Sequence, residues 1–324
     1  MHSWALLAAS VAAGLALLTF CGDQLVDFAA SVAEKAGLTP AVIGLTIVAA
    51  GTSAPELFVS LTASLSGSPD IAAANVVGSN IANLTLILGL AALVLPIPIG
   101  GSVVRLDYPF MLLSSWITLL LCRDGRLDRL EAGFFLASTV AFAAYSVLAA
   151  RLARRSESRD LAHLVPPLAE GLRRRPMGIL LAGLAASIAG LVVGARLLVY
   201  GASGAAAALG VSERVIGLTV VAVGTSLPEL TACIMAARKG QHEMAVTGLV
   251  GSNIFNALFI LGVTGLARPI PISPRLTGTD MWVMLGAALL ICPMVYVRRR
   301  VSRLSGGVLV AGYLAYMAVL AAGG

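Results

Sequence analysis

Two glutamates stand where a carboxylate is hardest to keep. Glu56 and Glu229 lie deep in apolar stretches, each one residue after a proline. An ionised carboxylate at the centre of a bilayer is costly and rarely idle. Neither has a basic partner at helical spacing: nothing basic lies near Glu56, and Arg238 is nine residues beyond Glu229. A bound cation is the natural counter-charge. Pro55 and Pro228 lack an amide hydrogen and clash with the preceding turn, and Gly51 and Gly224 loosen that turn. The break is expected to free backbone carbonyls over 49–52 and 222–225, which water or a ligand must satisfy. Carbonyl, hydroxyl and carboxylate oxygens on one short unwound segment suit a hard cation such as Ca²⁺ or Na⁺. An ordinary kink explains the glycine and proline, but not a glutamate after the proline, twice. Ser79 with Asn83, and Ser252 with Asn256, are each spaced i, i+4 and so share a helix face. Such residues commonly make interhelical hydrogen bonds. Beside two glutamates in a duplicated frame they read as ion-lining. Asn80 and Asn253 are off that face and read as structural, while Gly78 and Gly251 permit close helix approach.

The duplication is explicit. A shift of 173 residues places 42–57 on 215–230 with 13 of 16 positions identical, and over 42–99 there are 30 identities in 58. Shared hydrophobicity cannot put Pro, Glu, Ser, Thr and Asn in register.

The elements that carry these residues follow from composition. The chain has 324 residues, 58% hydrophobic and only 12% charged, with a mean hydropathy of +0.94. That excludes a soluble enzyme, a disordered chain and a nucleic-acid binder. The runs are continuously apolar, which excludes a spanning β-barrel. Ten spans are expected at about 4–33, 39–66, 70–95, 103–122, 129–151, 177–207, 212–238, 243–267, 279–297 and 303–322. A polar stretch, 152–176, divides the chain into repeats 1–151 and 177–324. Five is odd, so consecutive five-span halves enter the membrane from opposite sides. The expected fold is therefore an all-α polytopic membrane protein of two inverted five-helix repeats, with a site at the midplane between them.

The net charge of +6 reads as a topology signal. With the N-terminus outside, inner loops hold fifteen Lys and Arg and outer loops six. Both termini are expected outside and 152–176 in the cytoplasm, in a bacterial inner membrane. Residues 5–21 could pass for a signal segment, but no Lys or Arg precedes them and Phe20 is bulky before Cys21, so a retained first helix is expected. Cys21, Cys122, Cys233 and Cys292 lack metal-site spacing and read as reduced apolar residues. Asp23 and Arg196 occupy equivalent positions, either pairing across the axis or solvated near helix ends. His2, His163 and His242 read as surface residues.

GTSAPEL with GSNIAN, and GTSLPEL with GSNIFN, closely resemble the two α-repeats (about 42–99 and 215–272) of the sodium/calcium exchangers, in the calcium/cation antiporter superfamily. The resemblance implies ten helices, two of them long and tilted (about 4–33 and 177–207), that slide past an eight-helix core. It implies no enzyme activity, no cofactor, and Na⁺ and Ca²⁺ as transported ions. Carried over by position, the calcium site uses the carboxylates of Glu56 and Glu229 and backbone oxygens of Thr52 and Thr225. Sodium sites add the Ala49 and Ala222 carbonyls and the Ser53, Ser79, Ser226 and Ser252 hydroxyls, and Asn83 and Asn256 line the centre. Potassium-dependent members have Asp where this chain has Asn256, which argues against potassium coupling. GTS before each Glu favours sodium over the proton/calcium branch. The alternatives are H⁺/Ca²⁺ or other cation antiport and, from another class, an intramembrane enzyme. The last needs paired aspartates and a GxGD motif that the chain lacks.

Overall fold

The computed structural model describes residues 4–67, 69–156, 172, 174–210 and 222–322. The helices are α1 (Trp4–Ala36), α2 (Pro40–Thr52), α3 (Ala54–Leu65), α4 (Asp70–Val94), α5 (Val103–Asp124), α6 (Arg129–Ser156), α7 (Met177–Ala208), α8 (Ala222–Thr225), α9 (Leu227–Arg238), α10 (His242–Ala267), α11 (Leu276–Arg298) and α12 (Arg303–Ala322). Among the described residues, eight of these are long and apolar enough to cross a membrane, and the α2–α3 pair, bent by 44°, makes a ninth. The expected span at 212–238 is described only as α8 and α9, because 211–221 lies outside the described residues. So do most of the 152–176 linker, His2 and His163.

The chain's own signals set the helix ends. Asp128 accepts from the Leu130 and Glu131 amides at 2.8 and 3.0 Å, while Glu131 accepts from the Asp128 amide at 2.9 Å. This reciprocal capping box starts α6. Thr39 caps α2, with Pro40 in the first turn where an amide hydrogen is not needed.

Loop pairings establish the inversion. Ile97–Pro98, after α4, pairs antiparallel with Arg300–Val301, between α11 and α12. Arg126–Leu127, between α5 and α6, pairs with Ile270–Pro271, after α10. Arg268 donates to the Ser64 carbonyl at 3.3 Å, and Lys35 to the Arg175 carbonyl at 2.6 Å. Each partner pair lies on one side of the membrane only if the second half runs opposite to the first.

α4 and α10, which carry the GSN motifs, form the centre: 83% and 78% of their apolar windows are buried, against 28% for α1 and α7. The latter two have 33 and 32 residues, hence about 50 Å of helix against a hydrocarbon core of about 30 Å, so they must tilt. They pack on each other through small residues. A Cβ on Gly14 would come 2.7 Å from the Leu198 nitrogen, and one on Gly201 2.7 Å from the Leu7 oxygen. The repeats duplicate even their irregularities: π turns occur at Asn83–Ile87 and Phe255–Ile260, and at Val103–Asp107 and Leu276–Asp280. All four cysteines are free, three of them buried, as apolar residues would be.

Candidate functional site

The two glutamates occupy the same local structure. α2 ends at Thr52 and α3 begins at Ala54, with Ser53 between them at φ −82° and ψ 6°. α8 and α9 are separated by Ser226 at φ −92° and ψ 9°. Pro55 and Pro228 each fall in the first turn of a new half-helix, where a missing amide costs little. Glu56 and Glu229 follow in that same turn, where the half-helix dipole favours negative charge.

The break is tighter than the sequence suggests. Instead of a short unwound segment it is a one-residue interruption. The Ala49 carbonyl, expected free, accepts from the Ser53 amide at 3.0 Å and the Thr52 hydroxyl at 3.3 Å. The Ser226 amide donates to the Val223 carbonyl at 3.2 Å. Hydrogen bonding of the ordinary helical kind thus runs up to each break and resumes directly after it, where the Leu57 and Leu230 amides donate to the Ser53 and Ser226 carbonyls at 3.1 Å.

The side chains converge across the repeats. Glu56 and Glu229 are 1% and 3% exposed, and their carboxylates are close enough to interact electrostatically. Ser53, from the first repeat, donates to Glu229 Oε1 of the second at 3.1 Å. Thr52 lies beside Glu229 and 3.5 Å from the Ser252 hydroxyl, and Thr225 in turn lies beside Glu56. Each acid thus faces hydroxyls of the opposite half. Ala49, Ser79, Asn83, Ser226 and Asn256 are also buried. Ala222 opens α8, and its side chain lies outside what is described.

Much of this polar surface has no hydrogen-bond partner among the described residues. Both Glu56 carboxylate oxygens, Glu229 Oε2, Asn83 Oδ1, both side-chain polar atoms of Asn256 and the Ser226 hydroxyl are buried without a hydrogen bond. Buried polar groups are otherwise almost always paired. No ion pair among the described residues reaches either glutamate; Lys239 pairs with Asp23 and Asp27, and Arg126 with Asp124. A cavity of about 10 Å³, lined by Thr52, Glu229, Cys233 and Ser252 among others, has room for one water-sized species. Acceptor oxygens concentrated in this way suit a hard cation.

Asn80 and Asn253, expected to be structural, hydrogen-bond through their amide nitrogens, while the Oδ1 of each is buried without a partner among the described residues. Asn80 donates to the Asn253 carbonyl at 3.2 Å, which ties α4 to α10, and Asn253 donates to the Leu249 carbonyl at 2.8 Å. Gly251 permits the expected close approach, since a Cβ there would collide with the Leu45 carbonyl and lie 2.9 Å from the Ala49 Cβ. Gly78 does not share that role: a Cβ there would meet nothing within 4 Å, because no neighbouring backbone comes close on that side. Three further features depart from the sequence reading. Asp23 and Arg196 do not pair with each other: Asp23 meets Lys239 at 2.9 Å, and Arg196 lines a cavity between α3 and α7. Asp107 and Asp280, also 173 apart, are buried at 4% and 9% exposure, beyond the two acids expected inside. Tyr316 donates to Asp280 at 3.1 Å, and Ser102 bonds Asp107. Their position near span ends hides them from a sequence reading, and only the 173-residue register marks them as a pair. His242, expected at the surface, is half-buried at the start of α10.

Comparison with known proteins gives a consistent picture. The family model described as sodium/calcium exchanger protein matches residues 6–148 and 179–322. Inner membrane protein YrbG of Escherichia coli is 37% identical over 310 residues, covering 95% of this chain and 94% of its own. Sodium/calcium exchanger MaX1 of Methanosarcina acetivorans is 33% identical over 341 residues, covering 95% and 96%. The solved sodium-calcium exchanger NCX_Mj superposes with a TM-score of 0.82 at 28% identity, covering 98% of this chain and all of the other.

Proposed function

The chain belongs to the sodium/calcium exchanger family, whose members are antiporters and not enzymes, and on that premise we propose that it exchanges Na⁺ for Ca²⁺ by alternating access. The observation that carries this reading is the cross-repeat constellation at the midplane. Two buried carboxylates without basic partners balance one divalent cation, and each is flanked by hydroxyls of the other half.

In this reading Ca²⁺ takes the carboxylates of Glu56 and Glu229 and backbone oxygens of Thr52 and Thr225. Na⁺ takes the Ala49 and Ala222 carbonyls and the hydroxyls of Ser53, Ser79, Ser226 and Ser252. Ala49 must first give up one of the two hydrogen bonds that its carbonyl accepts. Asn83 and Asn256 line the centre, and an amide at 256 adds no third carboxylate, so K⁺ coupling is not expected. The functional units are the repeats 1–151 and 177–324, joined by a cytoplasmic linker at 152–176. The orientation has both termini outside, in an inner membrane, and the ordinary direction is Ca²⁺ extrusion.

The test is Ca²⁺ uptake into liposomes holding the purified chain, under imposed Na⁺, H⁺ or K⁺ gradients. Uptake driven by the Na⁺ gradient alone is expected. Uptake driven equally by a H⁺ gradient without Na⁺ would replace this reading with H⁺/Ca²⁺ antiport.

A further inference from the structure

The internal repeat exposes a charge with no counterpart. At one end of the molecule Lys239, closing α9, lies 2.9 Å from Asp23 and 2.7 Å from Asp27 of α1 and also donates to the Asp23 carbonyl at 2.8 Å. Subtracting 173 from Lys239 gives Ser66, and adding 173 to Asp23 and Asp27 gives Arg196 and Tyr200. These three residues line a single cavity between α3 and α7, of about 720 Å³. Both ends therefore carry a cavity, and the one beside Asp23 and Lys239, of about 790 Å³, has its charges neutralised by the ion cluster. The other, a fissure, holds Arg196, which no ion pair among the described residues reaches.

The fissure has the character of an amphiphile site. Its wall is mainly apolar, with Phe58, Val59, Ile71, Val192 and Val199. Phe58, Val59 and Ile71 are 70%, 41% and 50% exposed, so the fissure opens toward the bilayer. Its volume is that of an ordinary ligand pocket. Arg196 lies 12 residues before the end of α7 at Ala208, about 18 Å along the helix, within reach of hydrocarbon. A guanidinium at that depth draws in water or an anion. The same lining disfavours a passing cation, because apolar side chains offer no ligands and Arg196 repels it.

We propose that this fissure binds an anionic phospholipid, with its phosphate on the Arg196 guanidinium and an acyl chain along the Phe58 and Val192 wall. Phosphate accepts two hydrogen bonds from a guanidinium in one plane. A phospholipid is also the amphiphile that already surrounds the opening. The inner end of the fissure reaches Gly224 and Thr225, so the chain would lie beside the break that positions Glu229 and hold α3 and α7 apart.

The proposal is tested without transport, by native mass spectrometry of the full chain in detergent, titrated with phosphatidylglycerol or phosphatidylcholine. One retained phosphatidylglycerol per chain is expected, with a preference over phosphatidylcholine that falls about tenfold in Arg196→Gln and is largely kept in Arg196→Lys. Arg123→Gln, an exposed arginine elsewhere, should leave that preference unchanged. Val59→Trp, which fills the fissure from a half-exposed position, should reduce retention of both lipids while the protein still melts cooperatively. Equal phosphatidylglycerol retention in wild type and Arg196→Gln would overturn the site. So would equal retention of the two lipids. Displacement of the lipid by equimolar oleate would overturn the choice of phospholipid.

Discussion

The two halves present nearly the same motif to the midplane and support it differently. In the first, Asn75 of α4 donates to the Glu56 carbonyl at 3.2 Å and to the Ser60 hydroxyl at 3.0 Å, and Ser60 reaches the Ala72 carbonyl at 3.4 Å. The positions 173 further on are Gly248, Cys233 and Ala245, all of which line the small cavity beside Glu229. Glu56 is thus tied to its neighbouring span close to the carboxylate. Glu229 sits against an apolar, incompletely filled wall, and its helix is tied at the far end through Lys239. Duplication has kept the buried oxygens at the two breaks and let the supports behind them diverge.

The sharpest way to break this comparison is to remove each charge. Glu56→Gln and Glu229→Gln should both abolish Na⁺-driven Ca²⁺ flux in liposomes while the protein stays folded by size exclusion. Each leaves one carboxylate for a divalent ion in a site remote from water. Unequal losses would mean that the two acids do not share the ion equally.

A smaller effect is expected from the glycines that set how closely the spans approach. Gly251→Ala forces a methyl against the Leu45 carbonyl and should cost about 1–3 kcal/mol, read as a lower melting temperature in detergent. Gly248→Ala meets nothing within 4 Å and should be neutral or stabilise by up to about 1 kcal/mol. Next comes the buttress. Asn75→Ala should cost about 1 kcal/mol and slow transport, since it frees the Glu56 turn and leaves Ser60 without its donor. Smallest is Lys239→Met, which removes a partly exposed ion cluster and should cost at most about 1 kcal/mol, with a loss that shrinks in high salt. A loss that does not change with salt would show that Lys239 acts through packing.

Much of this architecture was legible in the sequence because it rests on composition and register. Continuous apolar runs, a 173-residue repeat and an odd span count lead to inverted halves, and the loop pairings agree. Glu56, Glu229, Ser53 and Asn256 were legible because each is a polar residue in an apolar setting, and apolar spans tolerate few of those. The missing parts depend on contacts between distant segments. Nothing local says that Ser53 reaches across to Glu229, that Asp23 meets Lys239 instead of Arg196, or that Asp107 is covered. The narrow break at Ser53 was missed for a different reason. Proline and glycine announce an interruption, but how far the hydrogen bonding re-forms depends on neighbours such as the Thr52 hydroxyl.

The central claim is that Glu56 and Glu229 form one cation site shared between the halves. Calorimetric titration of the purified chain with Ca²⁺ in Na⁺-free buffer tests it most directly. A stoichiometry of one Ca²⁺ per chain, lost in Glu56→Gln and equally in Glu229→Gln, is the expected result. Two Ca²⁺ per chain, with one surviving in each single variant, would contradict the shared site and leave each half with its own.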